Sequence, residues 1–272
     1  MANTFHQFVA FGIDIVGLER ILRGIQSLLL IFMAWPLSLT HFSSTISIEK
    51  ATLLTVPFRL LQSRVGLVRR VLRTFRFIDS FNGGVVLFQN QSPGQGIEVW
   101  LDVISKTTLG MWGLLETITM LDAFEVPGLE YFGAAKTAEY NRQAQIYWFV
   151  ALVASALSSL VKIGKVAQST DSTEEAKDTA AAKKKPGKGR KSINEKGKDK
   201  AADVTGSQRS AKIRQLSIKF VSDCLDMVIP ASGVGWINLD RGLVASAMLV
   251  TTFITGKDVW DRCGKELDAK AS

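Results

Sequence analysis

Between Arg142 and Lys162 the chain carries nineteen consecutive uncharged residues, Gln143 to Val161, with Tyr147 and Trp148 near one end. A run of that length and polarity folds as a helix, because hydrocarbon offers its backbone N–H and C=O groups no partners outside the segment. Flanking cations and interfacial aromatics make it the best candidate in the chain for a membrane span. Ala154, Ser155, Ala156, Ser158 and Ser159 are small and suit close approach by a neighbouring helix. Other apolar stretches surround this one. From Gly24 to Ile48 there is no Asp, Glu, Lys or Arg, and Pro36 should end or kink the helix that fills the first part. Gly242 to Gly256 is a fifteen-residue run, marginal for a span, preceded by an apolar stretch from Met227 to Leu239 broken by Pro230 and glycines. Val99 to Phe124 has helical apolar spacing but includes Asp102, Lys106, Glu116 and Asp122. A carboxylate near mid-bilayer costs roughly 2.5–3.5 kcal/mol, so this helix is expected to pack on other helices, with Glu116 on a wet or paired face.

The most unusual pattern lies upstream, from Phe58 to Ile78. On a helix, Phe58, Leu61, Val65, Val68, Leu72 and Phe75 recur at steps of three and four and make one apolar stripe. Arg59, Arg64, Arg69, Arg70, Arg73 and Arg76 occupy the other side, and no acid intervenes before Asp79. A soluble helix usually mixes both signs on its wet face. A purely cationic face over an apolar stripe predicts a helix in a membrane interface, its stripe in the acyl boundary and its arginines on lipid phosphates. The competing reading is a core helix of a bundle with a basic rim. Fully burying a large apolar side chain is worth roughly 1.5–3 kcal/mol, and each arginine near an anionic leaflet adds about 1 kcal/mol. Insertion is therefore expected to be held by the stripe and only steered by charge.

Charge elsewhere is concentrated. The net +8 resides between Lys162 and Lys219, with sixteen basic and seven acidic residues; the remainder holds seventeen basic and eighteen acidic. Gln168 to Ser210 is rich in Lys, Ala, Gly, Ser and Thr, lacks aromatics, and reads as a disordered tether. Lys183 to Lys191, KKKPGKGRK, could instead bind nucleic acid or anionic lipid. The pattern as a whole predicts an all-α fold, a membrane-associated helical bundle with an amphipathic interfacial helix and one to three embedded helices. Three regions are expected: 1–165, containing the amphipathic helix 47–79 and the apolar segment 143–161; the linker 166–210; and a C-terminal anchoring region 211–272.

Nothing in the sequence supports catalysis. His6 and His41 lack metal-ligand spacing, and Cys224 and Cys263 have no paired Cys motif, which suits a reducing compartment. There is no phosphate loop, no G-x-S-x-G elbow and no H-E-x-x-H. No catalytic residue, cofactor or metal is expected.

Three blocks carry a family resemblance. Gly17-Leu-Glu-Arg-Ile-Leu-Arg-Gly-Ile-Gln26, running on to Trp35-Pro36-Leu37, resembles the N-terminal block of the peroxin-11 proteins. Leu61-Gln-Ser-Arg-Val-Gly-Leu-Val-Arg-Arg-Val-Leu-Arg73 looks like that family's arginine-rich amphipathic helix, and Ser222 to Pro230, a glycine-rich patch, an apolar run and Trp260 resemble its closing block. The similarity spans about the first eighty and the last sixty residues; Pro36 and the long lysine-rich linker depart from the usual pattern. The resemblance implies a multi-pass or partly embedded peroxisomal membrane protein with cytosolic termini, which elongates the organelle membrane before fission. It also implies homo-oligomers, anionic membrane lipids as partners, and a link to the fission machinery, a dynamin-related GTPase and its adaptor. Two alternatives stand beside it: a small-solute channel or carrier using Glu116, Asp122 and Asp102, and a soluble nucleic-acid-binding helical protein using the basic linker.

Overall fold

The computed structural model describes residues 4–38, 47–90, 96–181 and 195–271, and these residues are helical, with no strand among them. The helices are α1 (Thr4–Ile13), α2 (Ile15–Ala34), α3 (Ile48–Leu53), α4 (Thr55–Arg73), α5 (Arg76–Gln89), α6 (Ile97–Ile118), α7 (Met120–Ala123), α8 (Ala134–Ala181), α9 (Glu195–Val234) and α10 (Arg241–Ala271). The fold is an all-α, membrane-associated bundle.

Local chemistry sets the breaks. Asp14 caps α2, its Oδ1 accepting from the Gly17 N–H at 2.9 Å, and α2 stops at Ala34, two residues before Pro36. The stretch expected as one amphipathic helix over 47–79 is three. Leu54 separates α3 from α4, and Phe75 sits in the left-handed region (φ 66°), where the chain leaves α4 and starts α5. Gly83-Gly84 lies inside α5, where Gly84 is buried against Thr107. Pro230 does not break its helix: α9 passes through it to Val234 and ends at Gly235 (φ 85°). Helix α8 continues to Ala181 and α9 resumes at Glu195; Lys183 to Lys191 falls outside the described residues.

Neighbouring helices run antiparallel. α5 packs on α6, α6 on α8, α8 on α9, α9 on α10, and α10 on α2, while α4 returns alongside α2. Contacts fix the direction of each. Trp112 stacks on Trp148 (ring centroids 5.5 Å apart), and Lys162 reaches Asp102 at 2.5 Å, so α6 and α8 are antiparallel. Arg209 bonds to the carbonyls of Val166 and Ala167 while Phe149 packs on Trp236, which sets α9 against α8. Gln7 and Asp14 meet Trp260 and Arg262, and Trp35 lies over Gly242, which sets α2 against α10. One end of the bundle, here called the near end, thus gathers α1, the last turns of α10 and the facing ends of α8 and α9. The far end carries the connections 35–47, 119–133 and 235–240.

Two helices are long and apolar enough to cross a bilayer, Ala134–Gln168 and Arg241–Lys270. Only 33% and 28% of their apolar windows are buried inside the molecule, whereas the core helix of a soluble bundle would be mostly covered. They point the same way, from far end to near end, and α9 makes the return between them.

Candidate membrane-contacting helix and its buried arginine network

Helix α4 divides its apolar stripe. Phe58, Val65 and Leu72 are half-buried, and Phe58 meets Phe32 of α2 at 6.4 Å between ring centroids. Leu61 and Val68 are each 49% exposed and Phe75 is 64% exposed; Leu60 and Val71 extend this outer ridge. The stripe is therefore one seam against α2 and one ridge with no protein over it.

Its arginines divide as well. Arg59, Arg64 and Arg76 are exposed. Arg69, Arg70 and Arg73 turn inward and tie three helices together. Arg69 donates to Glu19 Oε1 through Nη2 at 2.7 Å and Nε at 3.1 Å, and also to Gln26. Arg73 bridges Glu19 at 3.3 Å and both Glu116 carboxylate oxygens at 3.1 Å, with its guanidinium over the Trp112 ring at 5.2 Å. Arg70 donates to the Glu116 carbonyl at 2.9 Å, to Asn141 at 3.2 Å and to the Thr119 hydroxyl. Glu116 is thus on a paired face. Asp102 pairs with Lys162 near one end of α6, and Asp122 accepts from the Thr137 hydroxyl and the Tyr131 and Phe132 N–H groups, so neither reaches the centre.

A second buried set adjoins the first. Arg23, 5% exposed, pairs with Asp226 at 2.5 Å and donates to Thr251 at 3.0 Å, and Thr251 donates to Asp226 at 2.6 Å. Together these groups line a cavity of about 320 Å³ whose wall includes Glu19, Arg69, Arg73, Glu116, Gln145 and Asp226. Buried charge survives only where each member is paired and hydrogen-bonded, and removal of one partner strands the other. This polar core was missing from the sequence reading. Its signal was present in Glu19, Arg20 and Arg23, three charges on a mostly apolar helix, and in Asp226, a carboxylate beside the apolar stretch that begins at Met227. Cys224 and Cys263 are free thiols.

Apolar helices left bare on their outer faces, around an interior of paired charges, define a membrane-embedded helical protein, not a soluble bundle. The chain matches the family model for Peroxisomal biogenesis factor 11 (PEX11) over residues 7–260 of its 272, and it belongs to that family. It is accordingly a peroxisomal membrane protein involved in peroxisome proliferation, in a family not known for enzymes. No curated protein and no solved structure matches it.

Proposed function

We propose that this protein elongates the peroxisomal membrane by presenting the outer ridge of α4 to lipid, and so prepares the organelle for fission. The observation that carries the reading is the division of α4 itself: Leu60, Leu61, Val68, Val71 and Phe75 uncovered on one side, Arg69, Arg70 and Arg73 locked to the bundle on the other. An aliphatic ridge of that size gains several kcal/mol by entering acyl chains, at roughly 1.5–3 kcal/mol for each fully buried side chain. Entry into one leaflet expands it and favours positive curvature. Lipid phosphates fall to Arg59, Arg64 and Arg76, the exposed arginines; the inward three hold the helix in place. Reconstituted into liposomes, the protein is expected to tubulate them, and Leu61→Asp with Val68→Asp should abolish tubulation while leaving the helical content intact. Raised salt should only weaken the effect. Tubulation that survives the double substitution, or is lost to salt alone, overturns the reading.

The near end faces the cytosol in this proposal. The connections at the far end, 35–47, 119–133 and 235–240, contain no Lys or Arg, whereas 182–194, between α8 and α9, contains six. Cytosolic flanks of membrane helices carry that excess. Both termini then face the cytosol, as the family resemblance expects, and the linker shares their side. Protease protection settles it: a tag at Lys188 should be digested on intact organelles and one at Asn238 protected. Self-association and recruitment of a dynamin-related GTPase with its adaptor follow from the resemblance and belong to the same proposal.

A second reading, passage of small solutes, draws on the charged cavity of about 320 Å³ on the bundle axis. Flux through liposomes that falls on Glu116→Ala would favour it; unchanged flux removes Glu116 from that role.

A further inference from the structure

On the side of α2 away from α4 lies a groove of about 510 Å³, walled by α2 and α10 and closed at one end by Phe11 of α1. The α2 residues that meet α4 are Glu19, Gln26 and Phe32; the groove uses others. Its lining is apolar, with Leu28 and Leu249 farthest from the near end and Ile25, Leu28 and Phe253 exposed along it. Its rim at the near end is cationic, formed by Arg20 and Lys257 beside Trp260.

The walls keep a strict register. Gly24 faces Thr252, which sets Arg20 opposite Lys257 and Leu28 opposite Leu249. On each helix the leucine lies eight positions from the rim residue, a rise of about 12 Å. Half of a bilayer's hydrocarbon core is about 15 Å. The groove therefore runs most of the depth of one leaflet, greasy at midplane and positive at the surface, with an aromatic at the boundary. Arg20 lines the groove with 20% of its side chain exposed, its Nε 3.6 Å from Glu19 Oε2, while the other oxygen of that carboxylate serves Arg69 and Arg73. Lys257 is exposed and also borders the hollow against α9 that Asp258 and Asp261 line.

We propose that this groove is a binding site for one anionic phospholipid, with its phosphate between Arg20 and Lys257 and an acyl chain along Ile21, Ile25, Leu28 and Phe253. Depth and charge choose this occupant. A peptide helix would not need a cation pair at one end only, and a zwitterionic lipid would gain less, because its headgroup brings its own cation toward Arg20 and Lys257. The site is independent of α4 and stands or falls apart from the curvature reading.

The test is native mass spectrometry of the full chain released from micelles doped equally with phosphatidylserine and phosphatidylcholine of identical acyl chains. The wild type should retain one phosphatidylserine with about tenfold preference. Arg20→Gln with Lys257→Gln should erase the preference while some lipid is still retained. Gly256→Leu should displace both lipids; a Cβ there meets nothing within 4 Å, so the fold tolerates it. Gly24→Leu, whose Cβ makes only ordinary contact with Thr252 at 3.7 Å, gives a second filling variant. Arg59→Gln with Arg64→Gln, away from the groove, should change nothing. Equal retention of the two lipids by the wild type, a preference that survives loss of the cation pair, or lipid retained by both filling variants overturns the proposal. So does a dimer whose formation excludes lipid, since a second copy would then be the occupant.

Discussion

Two residues, Thr74 and Phe75, join α4 to α5, and the helices on either side of them hold to the bundle by opposite means. Helix α4 is fastened through guanidinium groups that reach across open space to Glu19, Glu116, Gln26 and Asn141. Helix α5 is fastened by shape. Phe81 lies over Gly110, so close that a Cβ there would sit 2.6 Å from the ring, and a Cβ at Gly113 would sit 3.2 Å from the Phe77 Cβ, close to that residue's backbone. Small residues beneath aromatic rings let two helices approach closely in lipid, where no hydrophobic force pulls them together. The α5 seam loses little if one contact loosens, because dispersion is spread over many atoms. The α4 seam is all or nothing, since each charge depends on its partner.

Removing one charge should produce the largest effect. Glu19 is 2% exposed and serves both Arg69 and Arg73, so Glu19→Gln leaves two guanidiniums short of a counter-charge. A loss of about 3–5 kcal/mol is expected, read as a lowered melting temperature in detergent. Glu19→Leu with Arg69→Leu should cost less than Glu19→Gln alone; additive losses would mean that the pair is not coupled. Gly110→Ala should be milder, about 1–3 kcal/mol of overpacking against Phe81, and Phe81→Leu in the same chain should recover part of it. No recovery would show that the seam is not set by that ring.

The next effect is local and depends on pH. Burial raises the Asp122 carboxyl, but the Thr137 hydroxyl and the N–H groups of Tyr131, Phe132 and Gly133 outweigh it and hold the group below its ordinary value of 3.8. A carboxylate depressed in the folded state contributes stability above that ordinary value and loses it as pH falls through the folded one. Backbone hydrogen exchange in the 124–133 turn should therefore rise only as pH is taken below 3.8, and Asp122→Asn should raise it already at neutral pH. The smallest change belongs to Lys165, 52% exposed and paired with Glu98: Lys165→Ala should cost about 1 kcal/mol or less and nothing in high salt. A melting temperature that falls with salt by more than this small surface share would contradict the burial of the Glu19 pairs.

The helices were legible in the sequence because apolar spacing repeats along each one. Gln143–Val161 stands inside α8, the Val99–Phe124 stretch is α6 as far as Ile118 and then breaks at Thr119 before the short α7, and Pro36 follows the end of α2 as its ring requires. The two-faced nature of α4 was also legible, but not what each face meets. An arginine that contacts a phosphate and one that contacts Glu19 occupy the same helical face in a projection. The difference lies in a carboxylate fifty residues upstream of Arg69. Register across the bundle decides it, and no single helix contains that information. The break at Phe75 was hidden for a related reason: a bulky residue at φ 66° carries no local turn signal, and the contacts of Phe77 and Phe81 with α6 hold it there.

Because α8 and α10 ascend in the same direction with α9 descending between them, the end of α8 and the start of α9 lie on the same rim as the first and last helices. In the proposed orientation, insertion asks only uncharged or acidic hairpins to be pushed through the bilayer. The lysine tract would then be spared the journey, leaving its length free to drift over evolutionary time. Each doubling would cost about 0.6 kcal/mol of closure entropy and disturb no packed surface.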